Sequence, residues 1–460
     1  MRRIAVIGSG IVGLLAAHGF RRAGHTVNLY TDRTADQWLH GRPTGTAARF
    51  TAALAHEREL GLDEWQAVAP PLVGAHLLYC PSPGNVLATL TGRQSSPGFA
   101  IDVRLQSHRW MHELTARGAT IEIGTVTVPR LDEIAAEHDL TVVAAGGREL
   151  SALFERDEAR SVHREPQRSV AMITVHGPAL LRDGVPFPAV KNNILEGAGE
   201  AVWLPYHHRD VGTSWNLIFE AKPGGPMDIF QQARTGAEVL ALARKVITTM
   251  TPWDAAWARD MVLADEMAWL VGRITPTVRR PVARLPSGRV VTCIGDTAIH
   301  FDPLAAQGAN SGTKQARDLV AAVAARGDRP LDAAWMHATF EDFWAREGHP
   351  AYALTNLMLA PMSAAGRLVL IAQYGSDGAR RDGCQALANA FADAFADPSA
   401  ILAPLTDPAA ARRYIADKSG QPWLRRVLAG GLGIARAQVR HRLGLTPLHP
   451  PERMHRPAGA

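Results

Sequence analysis

The chain has 460 residues, of which 47% are hydrophobic and 20% are charged. This length predicts two or three domains, and the ordinary composition excludes a fibrous or largely disordered protein. The three cysteines, Cys80, Cys293 and Cys384, are too few and too far apart for a disulfide framework or a zinc site, so we expect a reducing cytoplasm. The segment from Lys418 to the end has eight Lys/Arg residues and one acid, whereas the whole chain has a net charge of +5. The body of the chain therefore lacks the basic excess that is typical of nucleic-acid enzymes.

The first thirty residues have the pattern of a strand, a helix and a second strand. Residues 4–8 form a short apolar run, residues 11–23 have helical periodicity, and residues 26–30 alternate as a strand does. This order predicts the start of a parallel sheet. The basic and apolar start is similar to a secretory signal, but three glycines at functional spacing argue against that interpretation.

The predicted secondary-structure pattern changes twice along the rest of the chain. Between residues 167 and 220, short strand-like runs are separated by Pro and Gly, which predicts an antiparallel sheet. An apolar strand at 289–295 and a helix from about 310 to 325 then return to the first pattern. The apolar stretch 357–374 is interrupted by Arg367, which favours a packed helix over a membrane span.

Three glycines, Gly8, Gly10 and Gly13, are spaced as GxGxxG between the first predicted strand and its helix. In such a motif the first glycine allows a tight turn, the second lets a pyrophosphate approach the backbone, and the third lets helix and strand pack closely. The helix start adds partial positive charge for the phosphates. The sequence therefore predicts a dinucleotide site, although this motif does not separate NAD from FAD.

The end of the second strand departs from the common pattern, in which an acid binds the adenosine ribose. The position in register is Thr31, and Asp32 and Arg33 follow it. Three interpretations stay open: Asp32 binds the ribose, the Thr31 hydroxyl does so, or both are only turn residues.

A second motif favours FAD over NAD. Gly295 and Asp296 end an apolar strand, and an Asp-Pro pair and a Gln-Gly-Ala-Asn segment follow before a helix. FAD is long, so its ribityl chain needs a partner away from the adenine half, and the Asp296 carboxylate can accept hydrogen bonds from ribityl hydroxyls. The backbone from Gly308 to Asn310, at a helix start, can stabilise negative charge on the reduced ring.

These patterns predict an α/β fold in which a discontinuous, Rossmann-type FAD-binding domain with a parallel sheet holds an inserted substrate domain, and a helical region follows. The predicted divisions are 1–155 for the first part of the FAD-binding domain, 156–284 for a mainly antiparallel substrate domain, 285–330 for the second FAD-binding part, 331–417 for the helical region and 418–460 for a basic extension. The extension is either solvated and loosely packed or a surface for a membrane or an acidic partner.

The chain resembles the oxygenase component of styrene and indole monooxygenases, which are two-component flavoproteins with a p-hydroxybenzoate-hydroxylase-like fold. The similarity extends from residue 1 to about residue 415, and the spacing of Gly-Asp, Asp-Pro and Gln-Gly-Ala-Asn within 295–310 is its most specific part. Shorter segments also carry it: Tyr30-Thr31-Asp32-Arg33, Gly41-Arg42, Asp63-Glu64-Trp65, Ile101-Asp102, Arg104-Leu105, Asp139-Leu140 and Pro166-Gln167-Arg168.

The resemblance implies roles for residues of the cofactor site. The cofactor-binding set is Gly8, Gly10, Gly13, Thr31, Asp32, Arg33, Arg42, Arg104, Gly295, Asp296, Pro303, Gln307, Gly308, Ala309 and Asn310. Within it, Arg42 and Arg104 are implied to lie near the flavin, Asp296 to contact the ribityl chain, and Pro303, Gln307, Gly308 and Asn310 to surround the ring. No metal is expected.

The resemblance also implies the reaction and its partner. Reduced FAD, supplied by a separate NAD(P)H-dependent flavin reductase, and O2 form a C4a-hydroperoxide whose distal oxygen epoxidises or hydroxylates a small aromatic or unsaturated substrate. Such chemistry needs no protein nucleophile. Single-component hydroxylases usually carry an Asp-Gly motif where residues 145–148 are Ala-Gly-Gly-Arg, which favours an external reductase. A homodimer stays open.

The chain departs from the family where the family lines its substrate cavity with Asn, Val and His. The corresponding positions of this chain are Gly45, Ala47 and Arg49. The predicted cavity set also includes Thr46 and His76, and the resemblance implies that His76 matches a family histidine near the cavity. Smaller side chains predict a substrate larger than styrene, with styrene and indole taken poorly. Arg49 either binds an acidic group of that substrate, points to solvent or pairs with a protein acid. His76 is either a catalytic candidate or a structural histidine.

Other functions stay open from the sequence. A flavin-dependent oxygenase that acts on nitrogen or sulfur of a larger, acidic metabolite is one alternative. A flavin-dependent halogenase shares the fold class, but residues 201–205 lack its Trp-x-Trp-x-Ile-Pro segment. An NAD-dependent dehydrogenase would not need Asp296 and its following loop, and a non-enzymatic flavin carrier is a further class.

Overall fold

A computed structural model gives the fold of residues 1–145, 148–181, 187–379 and 381–443. The chain forms two compact units. The first unit comprises Met1–Ala67, Ile101–Gln167 and Ile274–Asn356, and the second comprises Val68–Ala100, Arg168–Arg273 and Leu357–Ala460. Both units are therefore built from segments that are remote in sequence.

The strands, in chain order, are β1 (Arg3–Ile7), β2 (Thr26–Thr31), β3 (Ala48–Arg49), β4 (Pro71–Cys80), β5 (Ala88–Ala100), β6 (Thr120–Ile123), β7 (Leu140–Val143), β8 (Arg168–His176), β9 (Ala189–Leu195), β10 (Gly199–His208), β11 (Gly212–Ala221), β12 (Val262–Leu263), β13 (Trp269–Ile274), β14 (Thr277–Val278), β15 (Val282–Arg284), β16 (Val290–Cys293) and β17 (Ile299–His300). The α-helices are α1 (Ile11–Arg22), α2 (Ala35–His40), α3 (Thr51–Leu60), α4 (Val103–Ala116), α5 (Val128–Glu137), α6 (Arg148–Ser151), α7 (Gly236–Met250), α8 (Ala255–Asp260), α9 (Gln307–Arg326), α10 (Ala333–Phe343), α11 (His349–Leu359), α12 (Ala364–Ala372), α13 (Gly383–Asp393), α14 (Ser399–Thr406), α15 (Pro408–Ser419) and α16 (Trp423–Arg442).

The first unit is built on a sheet with the strand order β15-β16-β7-β1-β2-β6. The neighbouring pairs from β16 to β6 are parallel, and β15 is an antiparallel edge strand. The chain reaches β16 after leaving β7 nearly 150 residues earlier, so the sheet is discontinuous, as predicted. Its central strands are short apolar runs because both faces of a parallel sheet are covered. The predicted fold class is confirmed.

The second unit is built on a mainly antiparallel sheet with the strand order β12-β8-β11-β10-β9-β4-β5. Here the structure differs from the sequence-based boundaries, which assigned residues 68–100 to the FAD-binding part. The strand Pro71–Cys80 pairs in parallel with Ala189–Leu195, so this hairpin belongs to the second sheet. Pairing between segments that are more than 100 residues apart leaves no local sequence pattern.

The C-terminal segment also differs from the loosely packed extension that its glycines suggested, because Trp423–Arg442 is a helix. A Cβ atom at Gly430 would overlap the Ile371 carbonyl oxygen, and one at Gly433 would lie 2.6 Å from the Tyr374 ring. The glycines therefore allow α16 to approach α12 closely. Apolar side chains are exposed on α16 at Leu424, Leu428, Leu432 and Val439. A membrane or partner role for this surface stays a prediction, and residues 444–460 lie outside the described residues.

In the described part of the chain, no single helix is long and apolar enough to cross a membrane, and only the consecutive helical stretches Ala333–Leu359 and Ala364–Ala372 reach that threshold when they are joined. Cys80, Cys293 and Cys384 are buried, and within the described residues none of them is in a disulfide. Burial raises the pKa of the Cys80 thiol to about 12. This cysteine therefore remains a protonated, unreactive thiol at neutral pH.

The second unit contains a buried ion pair whose removal gives a stability test. Lys191 Nζ donates to Asp254 Oδ1 at 2.5 Å, and both side chains are almost completely buried. Replacing Lys191 with Met leaves a buried carboxylate without its cation, so we expect a loss of about 3–5 kcal/mol in the free energy of unfolding. Urea denaturation followed by tryptophan fluorescence measures it. The double variant Lys191→Met/Asp254→Leu should be less destabilised than the single variant, and the reverse order would contradict this account.

Candidate functional site

The glycine motif forms a tight turn between β1 and α1. Gly8 has φ +112°, and a Cβ atom there would lie 2.7 Å from the Ala144 carbonyl oxygen. A Cβ atom at Gly13 would overlap the Gly8 carbonyl oxygen. Glycine is therefore required at both positions, at the first for its backbone conformation and at both for the close contact.

Gly10 has a different environment, because a Cβ atom there would meet nothing within 4 Å. It is the N-cap residue of α1, and no side chain caps this helix. The first N–H groups of α1 thus face open space without a side-chain acceptor. This is the arrangement that binds a phosphate at a helix N-terminus.

The end of β2 distinguishes the two ribose candidates. The Thr31 hydroxyl lies 2.5 Å from the Ser9 hydroxyl, which also accepts a hydrogen bond from the Trp38 indole at 2.7 Å. Thr31 is buried, whereas Asp32 is exposed. The Arg33 guanidinium lies over the Trp38 ring, 4.9 Å from its centroid. Asp32 is therefore the better candidate for the ribose, and Thr31 fixes the turn.

The second predicted motif, which begins at Gly295, lies against helix α1. Val12 of α1 packs between two glycines: a Cβ atom at Gly295 would lie 3.2 Å from it, and one at Gly312 would lie 2.5 Å from it. The Gly295 N–H donates to the Gln315 side chain at 2.9 Å. These contacts bring the loop after β16 next to the start of α1, so the two predicted halves of the FAD site lie in one place.

Asp296 follows at the start of a short 3-10 turn, Gly295–Thr297, and its side chain is exposed. A Cβ atom at Gly308 would lie 3.7 Å from its Oδ1 atom. The carboxylate therefore lies near the N-terminus of α9 and faces space that a ribityl chain can enter. This placement fits the predicted role.

The loop between β17 and α9 is held by its own hydrogen bonds. Asp302 accepts from the Leu304 N–H, and the Gln307 side chain donates to the Ala305 carbonyl oxygen at 2.8 Å. Ala306, the N-cap of α9, has φ +53°, and no side chain caps this helix. A left-handed alanine is a strained conformation of the kind found at ligand sites. Pro303 and Ala309 lie in the same loop and helix start and are partly buried.

Asn310 was expected to surround the flavin ring, and the structure corrects this for its side chain. The amide accepts from the Phe50 N–H at 2.9 Å and donates to the carbonyl oxygens of Ala48 and Ala306, both at 2.8 Å. Its hydrogen-bonding groups are thus used to hold the predicted cavity segment against α9. Asn310 is a positioning residue, which sequence reasoning missed because two of its partners, Ala48 and Phe50, are more than 250 residues away.

The two arginines that were implied near the flavin differ in exposure. Arg104 is buried, with its guanidinium paired to Asp102 at 2.7 Å and a further hydrogen bond to the Gly41 carbonyl oxygen at 3.3 Å. Arg42, which follows Gly41, is exposed. Arg104 therefore supports the turn that carries Arg42, and Arg42 is the arginine that remains accessible to a ligand.

The buried Arg49 guanidinium already has a charge partner within the protein, so it does not need an acidic group of a substrate as its partner. Its guanidinium is completely buried and paired with Glu57. It also donates to the Ala47 carbonyl oxygen at 2.9 Å and to the Gln106 side chain at 2.7 Å. Of the alternatives that the sequence left open, the pairing with a protein acid is the one present in the structure.

The other predicted cavity positions lie in two places. Gly45 and Thr46 are partly buried and Ala47 is buried, and a Cβ atom at Gly45 would meet nothing within 4 Å. His76 lies in β4 of the second unit, where its Nδ1 atom is 2.8 Å from the Thr91 hydroxyl. A catalytic role for His76 stays a prediction. Gly146 and Gly147, which entered the argument for an external reductase, lie outside the described residues.

Comparisons with known proteins bear on the class of enzyme. Residues 146–256 match the family model "Styrene monooxygenase A putative substrate binding domain". Styrene monooxygenase StyA of Pseudomonas fluorescens is 25% identical over 321 residues, which are 68% of this chain and 75% of that protein. The chain is an FAD-dependent monooxygenase similar to styrene monooxygenase. Its cofactor is FAD and its co-substrate is O2.

Solved structures of flavoproteins share the fold. A flavoprotein/dehydrogenase from Cytophaga hutchinsonii has a TM-score of 0.62 at 13% identity, over 90% of this chain and 99% of that chain. The flavin-dependent halogenase CmlS has a TM-score of 0.59 at 15% identity, over 90% of this chain and 77% of that chain. At these identities the likeness shows the fold and not the reaction.

The open space at Gly10 gives a test of the phosphate site. We expect Gly10→Val to fold, because its side chain meets no protein atom, and to lose FAD binding, because it fills the space in front of the helix start. Thermal unfolding and a fluorescence titration with FAD measure the two properties. Gly124→Val is the matched control, since Gly124 also has free space around its Cβ position. FAD binding by Gly10→Val with the affinity of the control would contradict the assignment.

Asp296→Ala tests the ribityl contact. Loss of a carboxylate that accepts hydrogen bonds from FAD should weaken binding by roughly 1 to 3 kcal/mol, or about 5- to 150-fold in Kd. Asp328→Ala serves as control, because Asp328 is exposed on the turn after α9. An unchanged FAD affinity in Asp296→Ala would place this carboxylate outside the cofactor site.

Proposed function

We propose that the chain is the oxygenase component of a two-component monooxygenase and receives reduced FAD from a separate NAD(P)H-dependent flavin reductase. The proposed substrate is a small aromatic or unsaturated compound that is epoxidised or hydroxylated. The observation that carries the proposal is the match of residues 146–256 to a substrate binding domain of styrene monooxygenase A. Similarity to StyA over 68% of this chain supports it.

In this proposal the first unit binds FAD with backbone groups and a few carboxylates. The N–H groups at the start of α1 bind the pyrophosphate, Asp32 binds the adenosine ribose, and Asp296 accepts hydrogen bonds from the ribityl chain. Arg42 is exposed on a turn that Arg104 supports, and the proposal assigns it the flavin side of the site. The buried hydrogen bonds that link Thr31, Ser9 and Trp38 keep the neighbouring Asp32 in position.

The start of α9 has the electrostatic role. Its first N–H groups have no side-chain cap and carry the positive end of the helix dipole, which stabilises negative charge on a reduced flavin ring. Bound reduced FAD would supply the two electrons for the reduction of O2, in which one oxygen atom is inserted into the substrate and the other is released as water. The left-handed Ala306 aims these N–H groups, and the Asn310 amide holds residues 48–50 beside them.

The protein contribution is therefore binding, orientation and exclusion of water, without a protein nucleophile. Open space at Gly45 supports a substrate larger than styrene. An acidic group on the substrate is not part of the proposal, because Arg49 already has Glu57 as its partner. Likeness to halogenases supports the fold only.

The need for an external reductase is tested by comparing flavin reduction with and without an added reductase. Purified protein with FAD and NADH or NADPH should reduce flavin no faster than a protein-free mixture, and addition of an unrelated flavin reductase should start oxygen consumption and substrate oxidation. Flavin absorbance under anaerobic conditions and an oxygen electrode measure the two steps. Catalase in a parallel reaction separates substrate oxygenation from free peroxide. Rapid flavin reduction by the purified chain alone would exclude the two-component assignment.

A further inference from the structure

The antiparallel sheet of the second unit has two different faces. Trp203 and Leu217 point to one face and belong to a core cluster with Val239 and Ala243 of α7. The opposite face of the same strands carries the neighbouring residues. The hydrogen-bonded register gives one row across this second face, which is Leu77, Asn192, Val202, Ile218 and Met172. We call this second face of the sheet the open face.

The central row of the open face is mostly aliphatic and only partly covered. Leu77, Val202 and Ile218 are each intermediate in exposure, and so are Ala75 and Val190 in the adjacent positions. A set of half-exposed aliphatic side chains on a sheet is the kind of lining found in small-molecule sites, where a few polar groups fix the orientation of the ligand. Asn192 lies in the middle of this lining.

Asn192 is a buried polar residue whose amide has no hydrogen bond to a described residue. Its side chain is 8% exposed, and its Oδ1 atom is buried without a partner. The next residue shows the contrast, because the Asn193 amide, on the core face, accepts from the Trp253 indole at 3.0 Å and donates to Asp254 at 3.1 Å. Buried polar groups are nearly always paired, and an unpaired one costs stability.

Two other polar residues on the open face, Asn216 and Arg168, have partners. The Asn216 amide donates to the Thr174 hydroxyl at 2.9 Å, and Arg168 donates to Glu200 at 2.7 Å. The missing hydrogen bond is therefore specific to Asn192 among these residues. Since Oδ1 is an acceptor, the group that would satisfy it is an N–H or O–H donor.

We propose that Asn192 orients the substrate on the open face, and that the substrate is an apolar, unsaturated compound with an N–H or O–H group. The inference rests on the proposed function and deepens it by naming the recognising residue and the polar feature of the substrate. The flat part of the substrate packs on the aliphatic row, and its donor binds the Asn192 Oδ1 atom. A neutral amide in an apolar lining favours a neutral ligand, which agrees with the internal pairing of Arg49.

The test uses three bicyclic probes of similar shape: indole, which has an N–H donor, and benzofuran and benzothiophene, which have none. Their dissociation constants are measured with the FAD-loaded full chain by equilibrium dialysis, and oxygenation rates are measured with an added reductase. Wild type should bind indole more tightly than the other two. Asn192→Leu should weaken indole binding by about tenfold or more and leave benzothiophene binding unchanged or improved. Asn192→Gln, which keeps the amide, should retain part of the preference for indole.

Asn193→Leu is the matched structural control. It removes three hydrogen bonds on the core face, so its melting temperature should fall, whereas that of Asn192→Leu without ligand should stay equal or rise. Equal effects of Asn192→Leu on indole and benzothiophene, or a wild type without preference for the donor, would overturn the inference. Because dialysis does not require turnover, donor-selective binding without oxygenation would refute the proposed function and leave the inference standing.

Discussion

The contact on which the cofactor site depends is the packing of Val12 between Gly295 and Gly312. Any side chain at either glycine would meet Val12 at 3.2 Å or less, so α1, α9 and the loop after β16 approach each other only because these positions have no Cβ atom. The same contact places the start of α1, where we predict phosphate binding, beside the loop of Asp296. Two motifs nearly 300 residues apart thus form one elongated site, as a molecule of the length of FAD requires.

A second constraint decides which polar residues remain available to ligands. Arg49, Arg104 and Asn310 have the chemistry of ligand-binding residues, yet each is buried and paired with groups of the chain itself. A buried charge or amide without such partners would cost more than the fold can easily offset. Asp32 and Asp296 are exposed instead, and the buried Asn192 Oδ1 atom has no hydrogen-bond partner among the described residues. These three residues therefore have side-chain oxygens that can accept hydrogen bonds from a ligand.

The paired residues still contribute to the site, because they hold its backbone. Asn310 bridges the strand segment at Ala48 and Phe50 to the start of α9, and Arg104 supports the turn at Gly41. We therefore expect their substitution to change cofactor and substrate binding together, through geometry rather than through a lost direct contact. The distinction is between a residue that touches the ligand and one that places it.

The sequence by itself predicted the first strand–helix–strand unit, the glycine motif at Gly8 and Gly13, and the loop at Asp296, because the pattern of each lies within one short stretch of sequence. It also correctly predicted FAD and monooxygenase chemistry by resemblance. Only the tertiary structure decided that residues 68–100 join the second sheet and that Arg49 pairs with Glu57. It also decided that the Asn193 amide is hydrogen-bonded on the core face, whereas the Asn192 Oδ1 atom on the opposite face has no hydrogen bond to a described residue. These outcomes depend on partners remote in sequence, and whether a polar group is satisfied is a property of its neighbours in space rather than of its position in a motif.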